Sequence, residues 1–479
     1  MKIIGRKNEL NLLNTSYKSG KPELIAVYGR RRVGKTFLVR QHFKDKFAFY
    51  TTGIYQGTKK EQLTFFNKQL NEYSNAAYPM AEDWFSAFDQ LKHLLIHSKE
   101  TTKVVFMDEL PWMDTPRSRF LKAFELFWNS WGCVQTDLKL IVCGSATTWM
   151  TDKFLGGKGG LRGRVTLNIP LSPFTLSETE QLLSEQGIVW NRRQILDGYM
   201  VFGGIPYYIS LLQKNLSLTQ NVDALFFSPS SQLKNEYDFL FQSLFSQSDV
   251  YKAIVATLAK KNMGLSRQEI MNTLKLQDNG GLTEILNNLQ KCDFIRKYSA
   301  FGKSERDALF QLTDLFSLFY LKFVKGYHGQ DDNHWSNMLD TPVQNTWRGY
   351  AFEQVCLLHL PQIKKALGIN GIQSDVCSWR SKNGERGGQI DMIIDRRDQT
   401  INLCEMKYSA SQYEITKAYD EKMIQRREIF RQETKTRKAL YLTMITTHGI
   451  LPNKYSDDIQ SEVTMEELFI GNHANGNPK

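Results

Sequence analysis

At 479 residues the chain is too long for one ordinary hydrophobic core and points to about three domains of ~150 residues each. Hydrophobic residues make up 41% and charged residues 23%, with a mean hydropathy of -0.41, which excludes general disorder. The opening MKIIGRKNEL has no apolar signal core and no run approaches the ~18 apolar residues of a membrane span, so a soluble, cytoplasmic chain with no membrane partner is expected.

The first segment alternates strand-like runs with helical patterns: PELIAVYG, FLVRQHF, FAFYTTG, a polar helical stretch, KVVFMDEL, LKLIVCGS and RVTLNIPL. That alternation predicts a parallel sheet with crossover helices, an α/β class. From PFTLSETEQLL to about residue 235 helical spacing takes over, broken by GGIP at 203 to 206. Three helices follow, the second opening on Ser266 with Glu269 at capping-box spacing, and then a hairpin around a Gly-containing turn. The aromatic helix LFSLFYLKFVKGY leads to a last unit read as a helix, a strand hairpin, a charged helix and a strand. Six scattered cysteines form no CxxC or Cys/His cluster and read as buried thiols of a reducing compartment. The net charge of +11, with pI ≈ 9.1, favours a polyanionic partner, DNA first.

Gly29-Arg30-Arg31-Arg32-Val33-Gly34-Lys35-Thr36 fits GxxxxGKT between the strand-like LIAVY and a helix beginning at Phe37. The glycines let backbone N–H groups curl around the phosphates of ATP, and the helix N-terminus adds positive potential. Lys35 is expected to neutralise the phosphates and Thr36 to hold Mg²⁺. Asp108 and Glu109 end the run KVVFMDEL, where the first can hold Mg²⁺ and the second can orient the attacking water. The arginine triplet either raises the local potential for triphosphate or is simply solvated.

Ile4-Gly5-Arg6, the P-loop, the acid pair, Ser145, GGLRGRVTLNIPLSPF and Gly204-Ile205-Pro206 occur in order. This set resembles an ATPase of the AAA+/STAND group, in the family first described as archaeal ATPases. The resemblance implies that Ile4 lies near the adenine, Ser145 is a polar sensor and Pro206 belongs to a helical lid. It also implies that Arg164, or else Arg162, reaches the γ-phosphate of a neighbouring subunit in a homo-oligomer. The three helices and hairpin read as a winged helix. Thr283, Asn287, Asn288 and Lys291 on its third helix, with Arg296, Lys297, Lys303 and Arg306 around the wing, could contact DNA, or the module could pack on the lid.

In TINLCEMKY, alternation puts Glu405 and Lys407 on one strand face, and the upstream hairpin can bring Asp391 beside Glu405. Two carboxylates so placed can hold a divalent cation, with Glu353 on the preceding helix as a further acid. The arrangement resembles the PD-(D/E)xK restriction-endonuclease-like superfamily, with Ile390 standing where the motif's name has proline. The resemblance implies that Asp391 and Glu405 are metal ligands, Lys407 the catalytic lysine and Gln389 an accessory group. The expected organisation is an AAA+ core (1–175), a helical lid (176–236), a winged helix (237–312), a helical connector (313–340), a nuclease-like domain (341–470) and a flexible tail (471–479). The function expected is an ATPase controlling a Mg²⁺-dependent DNA nuclease, or a switch whose C-terminal domain binds without cutting.

Overall fold

Long apolar runs without alternation need cover on both faces, and strand ELIAVY is buried along almost its whole length. The computed structural model describes residues 2–74, 77–157, 160–245, 247–303, 307–329, 331–381 and 388–471. It divides into two units, Met1–Ser172 and Pro173–Lys479. Arg306 and residues 472–479 lie outside the described residues.

The first unit runs α1 (Lys7–Tyr17), β1 (Glu23–Tyr28), α2 (Lys35–Phe43), β2 (Phe49–Thr52), α3 (Lys59–Tyr73), α4 (Trp84–His97), β3 (Lys103–Asp108), α5 (Leu110–Met113), α6 (Phe120–Ser130), β4 (Leu138–Gly144) and β5 (Leu167–Pro170). Its strands form one all-parallel sheet in the order β2-β3-β4-β1-β5. The order puts β4 between the strand that feeds the P-loop and the strand that ends on the acid pair. Thr58 and Glu61 close a capping box that starts α3. The aromatic faces of α3, α4 and α6 supply the core, with Trp84 meeting Phe120 edge-on at 4.8 Å and Phe66 at 5.5 Å.

The second unit opens with helices α7 (Leu176–Glu185), α8 (Arg192–Phe202), α9 (Pro206–Ser210), α10 (Leu218–Phe226), α11 (Glu236–Leu244) and α12 (Ser248–Leu258). Then come β6 (Leu265–Ser266), α13 (Arg267–Leu274), α14 (Gly280–Lys291), β7 (Ile295–Tyr298) and β8 (Leu309–Leu312), the strands pairing antiparallel in the order β6-β8-β7. Ser266 and Glu269 cap α13 reciprocally. The turn after β7 is not free: Phe301 N donates to Ser378 O at 2.7 Å, and the Phe301 ring meets Phe430 at 5.0 Å.

Helices α15 (Leu315–Phe319), α16 (His334–Asn337), α17 (Pro342–Leu358) and α18 (Leu360–Ala366) lead to β9 (Ser374–Arg380), β10 (Gln389–Arg396), β11 (Thr400–Lys407), β12 (Tyr413–Glu414), α19 (Lys417–Thr434), β13 (Ala439–Thr446), β14 (Ile450–Leu451), β15 (Ser461–Thr464) and α20 (Met465–Leu468). The main sheet here is mixed, in the order β15-β13-β11-β10-β9, with β9, β10 and β11 antiparallel and β13 and β15 parallel to β11. Ile393, Ile401, Leu403, Met423, Phe430 and Leu442 form the core between this sheet and α19. Among the described residues no helix is long and apolar enough to cross a membrane. The six cysteines are free thiols; Cys133 and Cys377 are half-buried, a departure from the expectation that all are buried.

Candidate functional site

The loop after β1 reverses direction through three residues with positive φ: Gly29 (149°), Arg32 (75°) and Gly34 (90°). A side chain at Gly29 would collide with the Leu171 carbonyl, so glycine is required there by close backbone approach. Gly34 caps α2, which places the unsatisfied N–H groups of its first turn at the loop. Lys35 is buried, and its ammonium donates to the carbonyls of Gly29 and Arg30 at 2.9 Å each. Thr36 Oγ1 donates to Asp108 Oδ2 at 2.7 Å, bringing hydroxyl and carboxylate together from helix and strand end. Glycine cradle, ammonium, hydroxyl and carboxylate form a donor set that fits Mg²⁺·ATP.

Glu109 adopts φ 45° as the chain passes from β3 into α5, strained backbone for a non-glycine residue. Its carboxylate accepts from Ser145 N at 3.1 Å and from Ser145 Oγ at 2.7 Å, while its own N–H donates to Asp108 Oδ1 at 3.0 Å. Ser145, at the end of β4, thus aims the acid that follows β3. Arg30 is buried and Arg31 and Arg32 are half-buried, so the triplet is not a freely solvated patch. Val33 is buried and Phe37 exposed; Ile4 is half-buried; Arg162 and Arg164 are exposed. Sequence reasoning passed over Arg6, which is buried and donates to Ser172 O at 2.6 Å and, weakly, to Val33 O at 3.4 Å. Its place in Ile4-Gly5-Arg6 was the available signal. Pro206 lies in the second unit, at the first turn of α9 beside a fixed bend: Phe174 N donates to Gly204 O at 2.7 Å.

The second unit carries the other group. The antiparallel register pairs Met392 with Cys404, and one step further sets Asp391 opposite Glu405. Asp391, Glu405 and Lys407 line one cavity of about 320 Å³ with Arg380, Gln389, Lys422 and Arg426. Burial and the Glu405 charge push the Asp391 carboxyl above its ordinary range, against Gln389, whose Nε2 donates to it at 2.9 Å. Glu353, on α17, is raised well above the carboxylate range, first by burial and then by Asp391. Glu405 is differently placed: Tyr419 Oη donates to it at 2.7 Å and the Arg426 guanidinium pairs with it closely. As arranged, no group of three acidic, His or Cys side chains among the described residues is close enough to hold a metal. The chemistry of Asp391 and Glu405 still suits a hard cation, with Arg426 supplying the positive charge beside Glu405. Lys422 and Arg426, which line the cavity, and Tyr419, which bonds Glu405, were missed from sequence because they come from α19, where only a charged helical pattern was visible.

Several side chains read as DNA contacts point elsewhere. Asn288 is buried and donates to Tyr251 Oη at 2.8 Å, and Arg296 donates to Gln311 at 2.6 Å while lying over the Tyr298 ring. Thr283, Asn287, Lys297 and Lys303 remain exposed, and Lys291 is half-buried. Asn288 is turned inward because it shares the buried face of α14 with Leu282, Leu286 and Leu289.

Residues 3–212 match the family described as an ATPase domain predominantly from Archaea. An uncharacterized protein of Methanocaldococcus jannaschii is 25% identical over 410 residues, 85% of this chain and 87% of its own. An uncharacterized ATP-binding protein of the same organism is 44% identical over 44 residues, 9% of this chain and 75% of its own. Among solved structures, a Walker-type ATPase of Pyrococcus abyssi is similar in fold at a TM-score of 0.50 and 18% identity, covering 67% of this chain and 96% of that one. Residues 3–212 thus match an archaeal-type ATPase domain, and the parallel sheet and glycine cradle agree with the P-loop fold that the Pyrococcus abyssi structure shares.

Proposed function

We propose that this chain is an AAA+/STAND-type ATPase that controls a Mg²⁺-dependent, restriction-endonuclease-like site acting on DNA. The observation that supports the second half is the convergence of Asp391, Glu405 and Lys407 on one cavity, with Glu353 close enough to feel their charges. When bound there, Mg²⁺ supplies Lewis acidity at a phosphate oxygen and a more acidic water. Asp391 and Glu405 would hold it, Glu353 would add a second-line carboxylate, and Lys407 would orient the phosphate. Arg380 and Lys422 give the cavity a basic rim suited to a phosphodiester backbone, in keeping with the net charge of +11.

In the ATPase domain, Lys35 would neutralise the phosphates, Thr36 and Asp108 would hold Mg²⁺, and Glu109, bonded by Ser145, would orient water. By the same resemblance Ile4 would lie near the adenine, Pro206 would belong to a helical lid, and Arg164 or Arg162, both exposed, would serve a second copy of the chain. We read residues 237–312 as a winged helix used for packing, since its turn is engaged by Ser378 and Phe430.

One observation favours a second reading, a switch that binds without cutting: Glu405 is already satisfied by Arg426 and Tyr419. Cleavage of plasmid and linear DNA with Mg²⁺ or Mn²⁺, with and without ATP, separates the two. Metal-dependent nicking that disappears in Asp391→Ala supports the nuclease. No cleavage in any nucleotide state, together with no metal bound at this site, leaves the switch.

A further inference from the structure

Helix α8 belongs by sequence to the ATPase domain, which extends to residue 212, yet by packing it belongs to the second unit. A half-buried polar cluster joins it to the C-terminal sheet at the residue that follows Lys407. Arg193 Nε donates to Tyr408 Oη at 2.9 Å, and the guanidinium lies over the Tyr408 ring at 3.9 Å. Tyr408 Oη in turn donates to Asp197, one helical turn along α8. Arg193 Nη1 also donates to Ser409 O at 2.5 Å and to His448 Nε2 at 2.9 Å. Ser409 N donates to Thr447 Oγ1 at 2.9 Å, which ties the end of β11 to the end of β13. Neighbouring Arg192 pairs with Glu180 at 2.9 Å and Glu466 at 2.5 Å.

We infer that Arg193, Asp197 and Tyr408 are positioning residues through which helix α8 of the ATPase domain sets Lys407 against Asp391 and Glu405. This rests on the nuclease reading for its consequence, though not for its geometry. A strand end is free to fray unless its last residue is tied down, and here two side-chain bonds and a cation–π contact hold residue 408, with a third bond from Arg193 to the Ser409 carbonyl. Lys407 is one peptide away, with its ammonium 5.0 Å from the Tyr419 ring centre. A displacement of α8 must drag Tyr408, because Arg193 and Asp197 sit on the same helix turn and grip one hydroxyl from both sides. Asp197 is half-buried, and a charged group left without its partners there is costly.

The test uses the full chain with the substitution Tyr408→Phe, which deletes the shared hydroxyl and keeps the ring. Two readouts are taken with and without Mg²⁺·ATP: DNA cleavage, and labelling of Lys407 by an amine reagent, quantified by peptide mass spectrometry. In the wild type, nucleotide should change Lys407 labelling by about fivefold or more, the low end of typical coupling. Tyr408→Phe should bring that ratio close to one while basal ATP hydrolysis is kept. Arg193→Gln should act alike and serves if Tyr408→Phe does not fold, whereas Arg193→Lys should restore part of the response. The inference is overturned if nucleotide leaves wild-type Lys407 labelling unchanged, or if the folded variants respond as strongly as wild type. If labelling responds through Tyr408 yet no DNA is cut in any state, the nuclease reading fails and the positioning role stands.

Discussion

The P-loop site and the acidic cluster of the second unit are built from different materials. The first is mostly backbone: positive-φ glycines, a helix N-terminus, and Lys35 held by two carbonyls. The second is entirely side chains, from α17, β10, β11 and α19, whose carboxylates repel one another and lean on Arg426 and Tyr419. A backbone cradle keeps its shape empty or full, since its dipoles are fixed by covalent geometry and local hydrogen bonds. A carboxylate cluster needs a cation, and a protein-borne guanidinium can stand beside it when no metal does.

The largest effect that could break this contrast is loss of the only P-loop ammonium. Lys35→Ala should weaken Mg²⁺·ATP binding about 100-fold or more, roughly 3 kcal/mol. Unchanged affinity by calorimetric titration of the folded variant would remove the P-loop from nucleotide binding. Glu109→Gln should preserve that affinity and slow phosphate release about 100-fold or more, because the amide keeps the shape but cannot act as a base. Wild-type turnover in this variant would assign water activation to another group.

The second site is sharpened by separating metal from chemistry. Asp391→Ala should abolish Mn²⁺ binding at the cavity together with any cleavage, while Lys407→Ala should keep the metal and still lose cleavage. Were the hairpin merely salt-bridged, both variants would lower the melting temperature and neither would alter metal titration. DNA affinity in EDTA should survive in both, since phosphate contacts by basic side chains carry it.

The last test concerns His359, which joins α17 to the start of α7. Its Nε2 accepts from Leu176 N at 3.0 Å, its Nδ1 lies 2.8 Å from Val355 O, and burial lowers its pKa to about 4. The folded chain therefore needs the neutral ring. Stability should be full above pH ~6.5 and fall as pH drops from there toward 4, by up to about 1.4 kcal/mol per unit. Urea midpoints measured across that window test this, and His359→Gln should flatten the slope. An equal slope in the variant would place the titrating group elsewhere.

What sequence alone determined is what short-range spacing encodes. GxxxxGKT between an apolar run and a helix specifies loop, cradle and lysine within eight residues, and strand-end acids follow from the run KVVFMDEL. Period-two alternation likewise put Glu405 and Lys407 on one face, where both now line the cavity. Only the tertiary structure decided how these groups are occupied and joined. That Ser145 aims Glu109, that Arg426 and Tyr419 hold Glu405, and that Arg193 grips Tyr408 across 215 residues all depend on contacts between elements distant in sequence. A charged helix such as α19 shows in sequence only that it is charged. Which of its side chains turn inward is settled by the packing of Met423 and Phe430 against the sheet, since burying those two fixes the rotation of the helix and carries Arg426 to the carboxylates.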